Sequence, residues 1–408
     1  MAPHDKFIAA TDSTLPVGPF EGRSSSVATN DRMRVCIVMG WHWESQIGGA
    51  QFQAKCLVDI LRTQPEFEIY YLAHNTPDTL DRDGYSIVPF GVGHKANVVG
   101  VLLQLPSLYR ELRRLKPQVI YQRCLMPYTG ICAIYCAIHG AKMVFHVASD
   151  NDVRSFARVK GWSPRSLLHH FSRWLSEFGM RRADFIVTQT DSQARTLQAE
   201  MGLPSKVIRN FHPSPKDVGV HRSPDLFRVI WVGNIKANKS PEQFVGLAES
   251  MQEVPGLEFI MIGRPGGDEF EALRDRIASL RNLKFLGEQP VERVDSEIAM
   301  SHLLVNTSKF EGYPNTFIQA WLRGVPVLSV TVDPDHCISV GGAGVLAGSP
   351  DRLAEVVRQL MTDRDRLTAL SSAALKFAAA NHQVEQGQRL VELLSAAAKG
   401  GTVSREIE

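Results

Sequence analysis

LLVNTSKFEGYPNTFIQAWLRGVPVLSV, residues 303–330, is the stretch on which the fold turns. Leu303 to Thr307 reads as a buried strand, and the tight loop after it holds one acidic residue, Glu311. A helix follows, closed by Gly324, and Val325 to Val330 is a second apolar strand. Ligands bind such strand–loop–helix corners because they lie at the carboxyl edge of a parallel sheet, where helix N-termini present free N–H groups. Glu311 hangs on the loop and Gln319 sits near the helix start, so both can face one crevice. A carboxylate and an amide beside a helix end suit a ligand with hydroxyls at one end and phosphate at the other.

Outward from that corner, apolar strands alternate with amphipathic helices. Upstream in the same half lie Phe227 to Val232, Glu258 to Ile262 and Leu283 to Leu286. An earlier series holds Arg34 to Met39, Glu68 to Leu72, Ser86 to Pro89, Val119 to Tyr121, Met143 to Val147, Phe185 to Thr188 and Val207 to Asn210. A polar stretch with Pro213, Pro215 and Pro224 separates the two series. Two βαβ series joined by such a linker predict an α/β protein of two doubly wound, Rossmann-like domains facing a central cleft. The expected divisions are a disordered tail (1–32), a first domain (33–212), a linker (213–226) and a second domain (227–382). The last segment (383–408) is a helix, expected to cross back to the first domain, plus a tail.

Composition narrows the function. Lys plus Arg at 45 against Asp plus Glu at 43 leaves the chain nearly neutral, which argues against nucleic acid as partner. The six cysteines form no Cys-x-x-Cys pair, and apolar surroundings favour buried free thiols in a reducing compartment. No stretch approaches the roughly 20 apolar residues that span a bilayer. The first thirty-odd residues lack a hydrophobic run of signal-peptide length, so a cytoplasmic location is expected.

Several patterns are weak alone. Gly91-Val-Gly93-His-Lys-Ala96 loosely matches a dinucleotide fingerprint but lacks a convincing acidic strand end afterwards. Asp-x-Asp occurs four times, at Asp81/Asp83, Asp150/Asp152, Asp333/Asp335 and Asp363/Asp365, so nothing here requires a metal. Gly233-Asn234, with Lys236 and Lys239, forms a glycine turn that reads either as a diphosphate site or as a solvated basic loop. Gly263-Arg264 ends the next strand at the same sheet edge. In the first domain, Gly48-Gly49 lets backbone approach a ligand, and Trp41 to Glu44 precede it. Arg123, His146 and Asp150 are strand ends facing the cleft, and Arg123 is expected to meet a phosphate or a carboxylate. Pro164 to Arg182 is amphipathic with a basic flank, which suits a core helix with a wet side or peripheral contact with an anionic membrane.

Together these motifs resemble the retaining glycosyltransferases of glycosyltransferase family 4, which have the GT-B fold. Ser308 to Ser329 carries the family's Glu-Gly-(aromatic)-Pro-Asn, then a helix, then Gly-x-Pro-Val. Phe285 to Gly287, Val232 to Lys239, Arg182 to Asp184 and Val207 to Asn210 match in family order. The resemblance implies metal-independent transfer of a sugar from a nucleotide-diphosphate donor, with retention, to a saccharide or lipid-linked acceptor in cell-surface glycan synthesis. It implies no cofactor. Glu311 would contact the donor sugar, and Gly312 belongs to the same loop. N–H groups near Asn315, Thr316 and Phe317 would meet the diphosphate, Lys239 would neutralise it, and Gln319 would contact the ribose. Gly48-Gly49 would lie at the donor–acceptor junction.

Three positions depart from the family. Gln319 stands for a second Glu, Asn234 for an Arg that Lys236 or Arg264 would replace, and Ala148 for a His. They motivate a second reading, a degenerate GT-B protein that binds nucleotide sugar without turnover. The Pro164–Arg182 helix would hold the enzyme at the inner face of the membrane.

Overall fold

Strands buried on both faces need helices on both sides, and that requirement shapes each half of the chain. The computed structural model describes residues 32–45, 48–74, 79–91, 98–154, 163–215 and 222–400. The first sheet holds β1 (Met33–Val38), β2 (Phe67–Ala73), β3 (Leu80–Arg82), β4 (Tyr85–Pro89), β5 (Val119–Arg123), β6 (Lys142–His146), β7 (Phe185–Thr188) and β8 (Lys206–Val207). Their order is β3-β4-β2-β1-β5-β6-β7-β8, parallel throughout except where β3 pairs with β4. Between them run α1 (Gly49–Leu61), α2 (Val98–Leu115), α3 (Pro127–His139), α4 (Pro164–Arg181) and α5 (Asp191–Met201). Val35, Cys36, Ile37 and Val38 are all fully buried, as a central strand covered on both faces demands.

The second sheet holds β9 (Phe227–Val232), β10 (Leu257–Ile262), β11 (Leu283–Phe285), β12 (Leu303–Asn306), β13 (Val327–Ser329) and β14 (Gly344–Leu346), in the order β11-β10-β9-β12-β13-β14, all parallel. Its helices are α6 (Pro241–Ser250), α7 (Gly267–Ser279), α8 (Val291–Ala299) and α9 (Asn315–Trp321). Trp321 is fully buried in this half, and its indole N–H donates to Ala343 O at 2.7 Å. Then come α10 (Leu353–Thr362), α11 (Arg364–Asn381) and α12 (Val384–Ala398). Leu390, Val391, Leu394 and Ala397 of α12 share a core with Leu57, Leu61 and Val144 of the first domain.

Strand order reverses between β1 and β5 in one sheet and between β9 and β12 in the other. Such reversals leave a crevice beyond the carboxyl ends of the strands. The two halves also touch directly. Asp335, in left-handed backbone (φ 49°), accepts hydrogen bonds from the N–H groups of Asp191 (2.8 Å) and Ser192 (2.9 Å), the first residues of α5. Its carboxylate also lies 3.3 Å from Arg209.

Two short strands, β3 and β14, were not expected. β3 is exposed along its length and carries no apolar alternation, and β14 has only three residues around Gly344. β13 occupies only the middle of the Val325–Val330 run. The tail expected over 1–32 lies outside the described residues save Arg32, and most of the Gly91–Ala96 pattern does too.

The Asp-x-Asp pairs mostly hold backbone. Asp152 accepts from the Ala148 and Ser149 amides, Asp333 from Ile338 and Ser339, and Asp363 from Arg366. Among the described residues, no group of three or more His, Cys, Asp or Glu is placed to hold a metal. No described helix is long and apolar enough to cross a membrane. All six cysteines are free; Cys124 is half-buried and the others are buried.

Candidate active site

A cleft of about 370 Å³ lies between the switch points and is lined from both domains. On the second-domain wall, Gly233 and Asn234 follow β9, Gly263 and Arg264 follow β10, and Glu311 to Thr316 follow β12. The glycine loops cross closely. A Cβ on Gly263 would stand 1.8 Å from Gly233 O, so no side chain fits there. The Lys239 carbonyl accepts from Thr307 Oγ1 (2.7 Å), which in turn accepts from Trp231 Nε1 (3.0 Å). That chain pins the lysine loop to the end of β12. Lys239 Nζ then donates to Glu311 Oε1, and Ser308 Oγ donates to the same oxygen at 2.8 Å.

Gln319 also lines the cleft, from the inner side of α9. Arg264 lines it too, but its fork is already closed on Glu288 at 2.8 and 2.6 Å. That pairing lowers the Glu288 carboxyl pKa and raises that of Arg264. Lys236, the other cation offered in place of the missing arginine, is exposed and not among the lining residues.

The first-domain wall begins at Gly48, the N-cap of α1, which makes no side-chain cap. Gly49 O accepts from Asn315 Nδ2 (2.9 Å), and Asn315 Oδ1 accepts from Gln53 Nε2 (3.0 Å). Asn315 therefore spends its side chain bridging the domains. A Cβ on Gly49 would press on that amide at 3.1 Å. Arg123 is 2% exposed and lines the cleft.

The expected phosphate or carboxylate partner of Arg123 is not what the protein itself supplies. The guanidinium donates to Asn210 Oδ1 (2.8 Å) and Tyr121 Oη (3.4 Å), and lies 3.3 Å from His146 Nδ1. Among the described residues its Nε has no partner. No described carboxylate lies within salt-bridge distance of it.

Three expected site residues need correction. His146 does not line the cleft: it is buried beneath Arg123, with Nδ1 2.8 Å from Tyr121 Oη. Burial first, then the Arg123 charge, hold its pKa well below the ordinary value, so it is neutral. His146 shares a face with Arg123, its partner on the neighbouring strand; Arg123 takes the cleft position there, and Ala148, two residues on, lines the cleft as well. Asp150 lies off the cleft and accepts from Gln193 Nε2 at 2.9 Å. The Phe317 side chain is fully buried, and its N–H donates to Pro314 O (3.1 Å), so that amide is not free. Asn315 and Thr316 do line the cleft. The aromatic run before Gly48 packs on itself: Trp43 meets His42, Tyr71 and Tyr85.

Reading the sequence missed the polar knot behind the cleft. Asn210 Nδ2 donates to Gln189 Oε1 (2.8 Å) and Tyr313 O (3.1 Å). His382, beside α11, joins the same knot. Its Nδ1 lies 2.7 Å from Asn210 O, and its Nε2 lies 2.7 Å from Tyr313 Oη. A carbonyl only accepts, so Nδ1 carries the proton and Nε2 accepts from the phenol. Burial lowers its pKa to about 4, consistent with that neutral tautomer. Asn210 and Tyr313 had a signal in the sequence, as the end of Val207 to Asn210 and as the aromatic of the Glu-Gly-(aromatic)-Pro-Asn run; Gln189 and His382 had none.

The model for Glycosyltransferase Family 4 matches residues 47–212, and that for Glycosyl transferases group 1 matches residues 227–363. A D-inositol 3-phosphate glycosyltransferase of Catenulispora acidiphila is 27% identical over 246 residues, which cover 54% of this chain and 59% of that protein. The chain thus spans about three fifths of that relative's length. The lipopolysaccharide core biosynthesis mannosyltransferase LpsB of Rhizobium meliloti is 24% identical over 324 residues, 74% of this chain and 88% of its own. Anabaena HepE, solved in complex with UDP and glucose, superposes with a TM-score of 0.66 at 17% identity, covering 90% of this chain and all of that one. With each half matched in order and both sheets wound as GT-B domains, the chain belongs to glycosyltransferase family 4.

Proposed function

We propose that the protein transfers a sugar from a nucleotide-diphosphate donor to a saccharide or lipid-linked acceptor, with retention at the anomeric carbon and without a metal. The observation that carries this reading is the Lys239–Glu311 pair, set at the switch point of the second sheet and facing Gly48 and Gly49 across the cleft. A diphosphate outcompetes a single carboxylate for Lys239. Glu311, still held by Ser308, then turns its free oxygen to the sugar hydroxyls. As the sugar becomes oxocarbenium-like, Lys239 and the leading Asn315 and Thr316 amides of α9 stabilise charge gathering on the leaving diphosphate. No carboxylate nucleophile enters this scheme, unlike that of the retaining hydrolases. HepE was solved with UDP and glucose, and the proposal extends that ligand class to this cleft.

The lipid-linked acceptor is supported by α4, where Leu167, Phe171 and Trp174 are exposed and the rings of Phe171, Trp174 and Phe178 stack in a row. Arg182 lies over Phe178 at 5.2 Å, and Arg181 is turned to Met201 O, so the basic flank is partly engaged.

A panel of nucleotide sugars tests the reading. Release of nucleoside diphosphate from at least one donor, unaffected by chelator, is the expected result. Binding without turnover of any donor, with or without acceptor extracts, would point to the degenerate protein. Chelator-sensitive turnover would remove metal independence.

A further inference from the structure

The family pattern puts a glutamate where this chain has Gln319, yet the structure supplies a carboxylate one helix away. Asp295 on α8 accepts from Gln319 Nε2 at 2.8 Å, and its other oxygen lies 2.7 Å from Arg323 Nη2. Arg323 Nη1 also donates to the Gln319 main-chain carbonyl at 3.0 Å. A carboxylate only accepts, so the atom facing Asp295 is the amide NH₂, and Oε1 is turned elsewhere. Oε1 accepts from no described group and is not among the sealed, unpartnered atoms. Gln319 lines the cleft and Asp295 does not, so the open side of Oε1 is the cleft.

A glutamate at 319 would set two carboxylates at hydrogen-bond distance with one guanidinium between them. Like charges that close cannot both stay ionised at ordinary pH. Burial already raises the Asp295 carboxyl pKa, opposed by Arg323 and by the Gln319 amide. The corner thus holds its one acid on α8, and an amide is what fits beside it.

We propose that Asp295 is a positioning residue of the donor site: it holds the Gln319 amide so that Oε1 faces the cleft and accepts hydrogen bonds from the hydroxyls of the nucleotide ribose. This rests on the reading of the cleft as a nucleotide-sugar site. The ionised acceptor behind the amide polarises it, which strengthens the bond its oxygen receives. A neutral oxygen backed by a carboxylate does the work of a direct glutamate.

The test is a double-mutant cycle on the full chain, read by affinity for UDP and GDP and for their 2′,3′-dideoxy counterparts. The unaltered protein should favour the ribonucleotide by about tenfold, the size of one or two hydrogen bonds. Gln319→Glu alone should erase most of that preference. Asp295→Asn alone should reduce it, because the asparagine amide can turn Oε1 away from the cleft. Combining the two restores one acid and one amide in exchanged places, and should recover the preference. Thermal midpoints close to the parent's in all three variants separate positioning from misfolding. Additive effects of the two changes, or a ribose preference untouched by either, would overturn the role of Asp295 alone. Failure of the unaltered protein to bind any nucleoside diphosphate would overturn it together with the donor-site reading.

Discussion

The two walls of the cleft handle positive charge in opposite ways. On the second-domain wall each lining cation has an acid: Lys239 meets Glu311, and Arg264 meets Glu288. On the first-domain wall Arg123 has, among the described residues, only an amide, a phenol and a neutral imidazole. The paired wall is self-neutralised when empty, so a ligand there exchanges partners. The unpaired wall holds a charge that the protein leaves uncompensated in a buried place, where charge is costly. One wall is built to trade and the other to receive.

Four changes would break or sharpen this contrast. Glu311→Ala leaves Lys239 as bare as Arg123; transfer should fall by about 10²-fold or more, while nucleoside diphosphate affinity holds or rises. Initial rates and calorimetry on the same sample check it, and near-normal transfer would sink the assignment. Lys239→Ala removes the trading partner, and affinity for the same nucleotide should drop roughly ten- to hundredfold, the span of a charged hydrogen bond. Arg123→Met removes the uncompensated charge at similar volume. Its thermal midpoint should stay level or rise, while transfer falls about tenfold and nucleotide affinity barely moves; a large loss of stability would mean that the neutral partners are compensation enough. Arg264→Ala is the smallest. Arg264 and its partner Glu288 have side chains 38% and 43% exposed, so nucleotide affinity should shift about twofold or less, and a loss like that of Lys239→Ala would mark Arg264 as the replacement cation.

How far these walls could be read from sequence follows from what each is made of. The second-domain wall is local. Glu311, Gly312 and Gln319 fall within one strand–loop–helix corner, and Lys239 lies just past a glycine turn, so periodicity and turn chemistry place them. The contacts that complete the site join residues far apart in the chain. Gln53 meets Asn315, Asn210 meets Tyr313, His382 meets both of the latter, and Asp295 meets Gln319 from another helix. No spacing rule reports such pairs. His146 shows the reverse case. Its place at a strand end suggested a site residue, yet Arg123, its partner on the neighbouring strand, takes the cleft position on that face and leaves the imidazole buried. The parallel sheets were legible because their strands are continuous apolar runs, whereas β3 and β14 are too short to leave a pattern.

Asp335 gives the two halves a shared terminus. The first turn of α5 belongs to one domain, but two of its leading amides are satisfied by a side chain of the other. Widening the cleft therefore costs a helix end its acceptor, about 1 kcal/mol for a lost cap. The Asp191 and Ser192 amide protons become a built-in gauge of the gap: their exchange with solvent deuterium reports how often the halves part, without any label on the ligand.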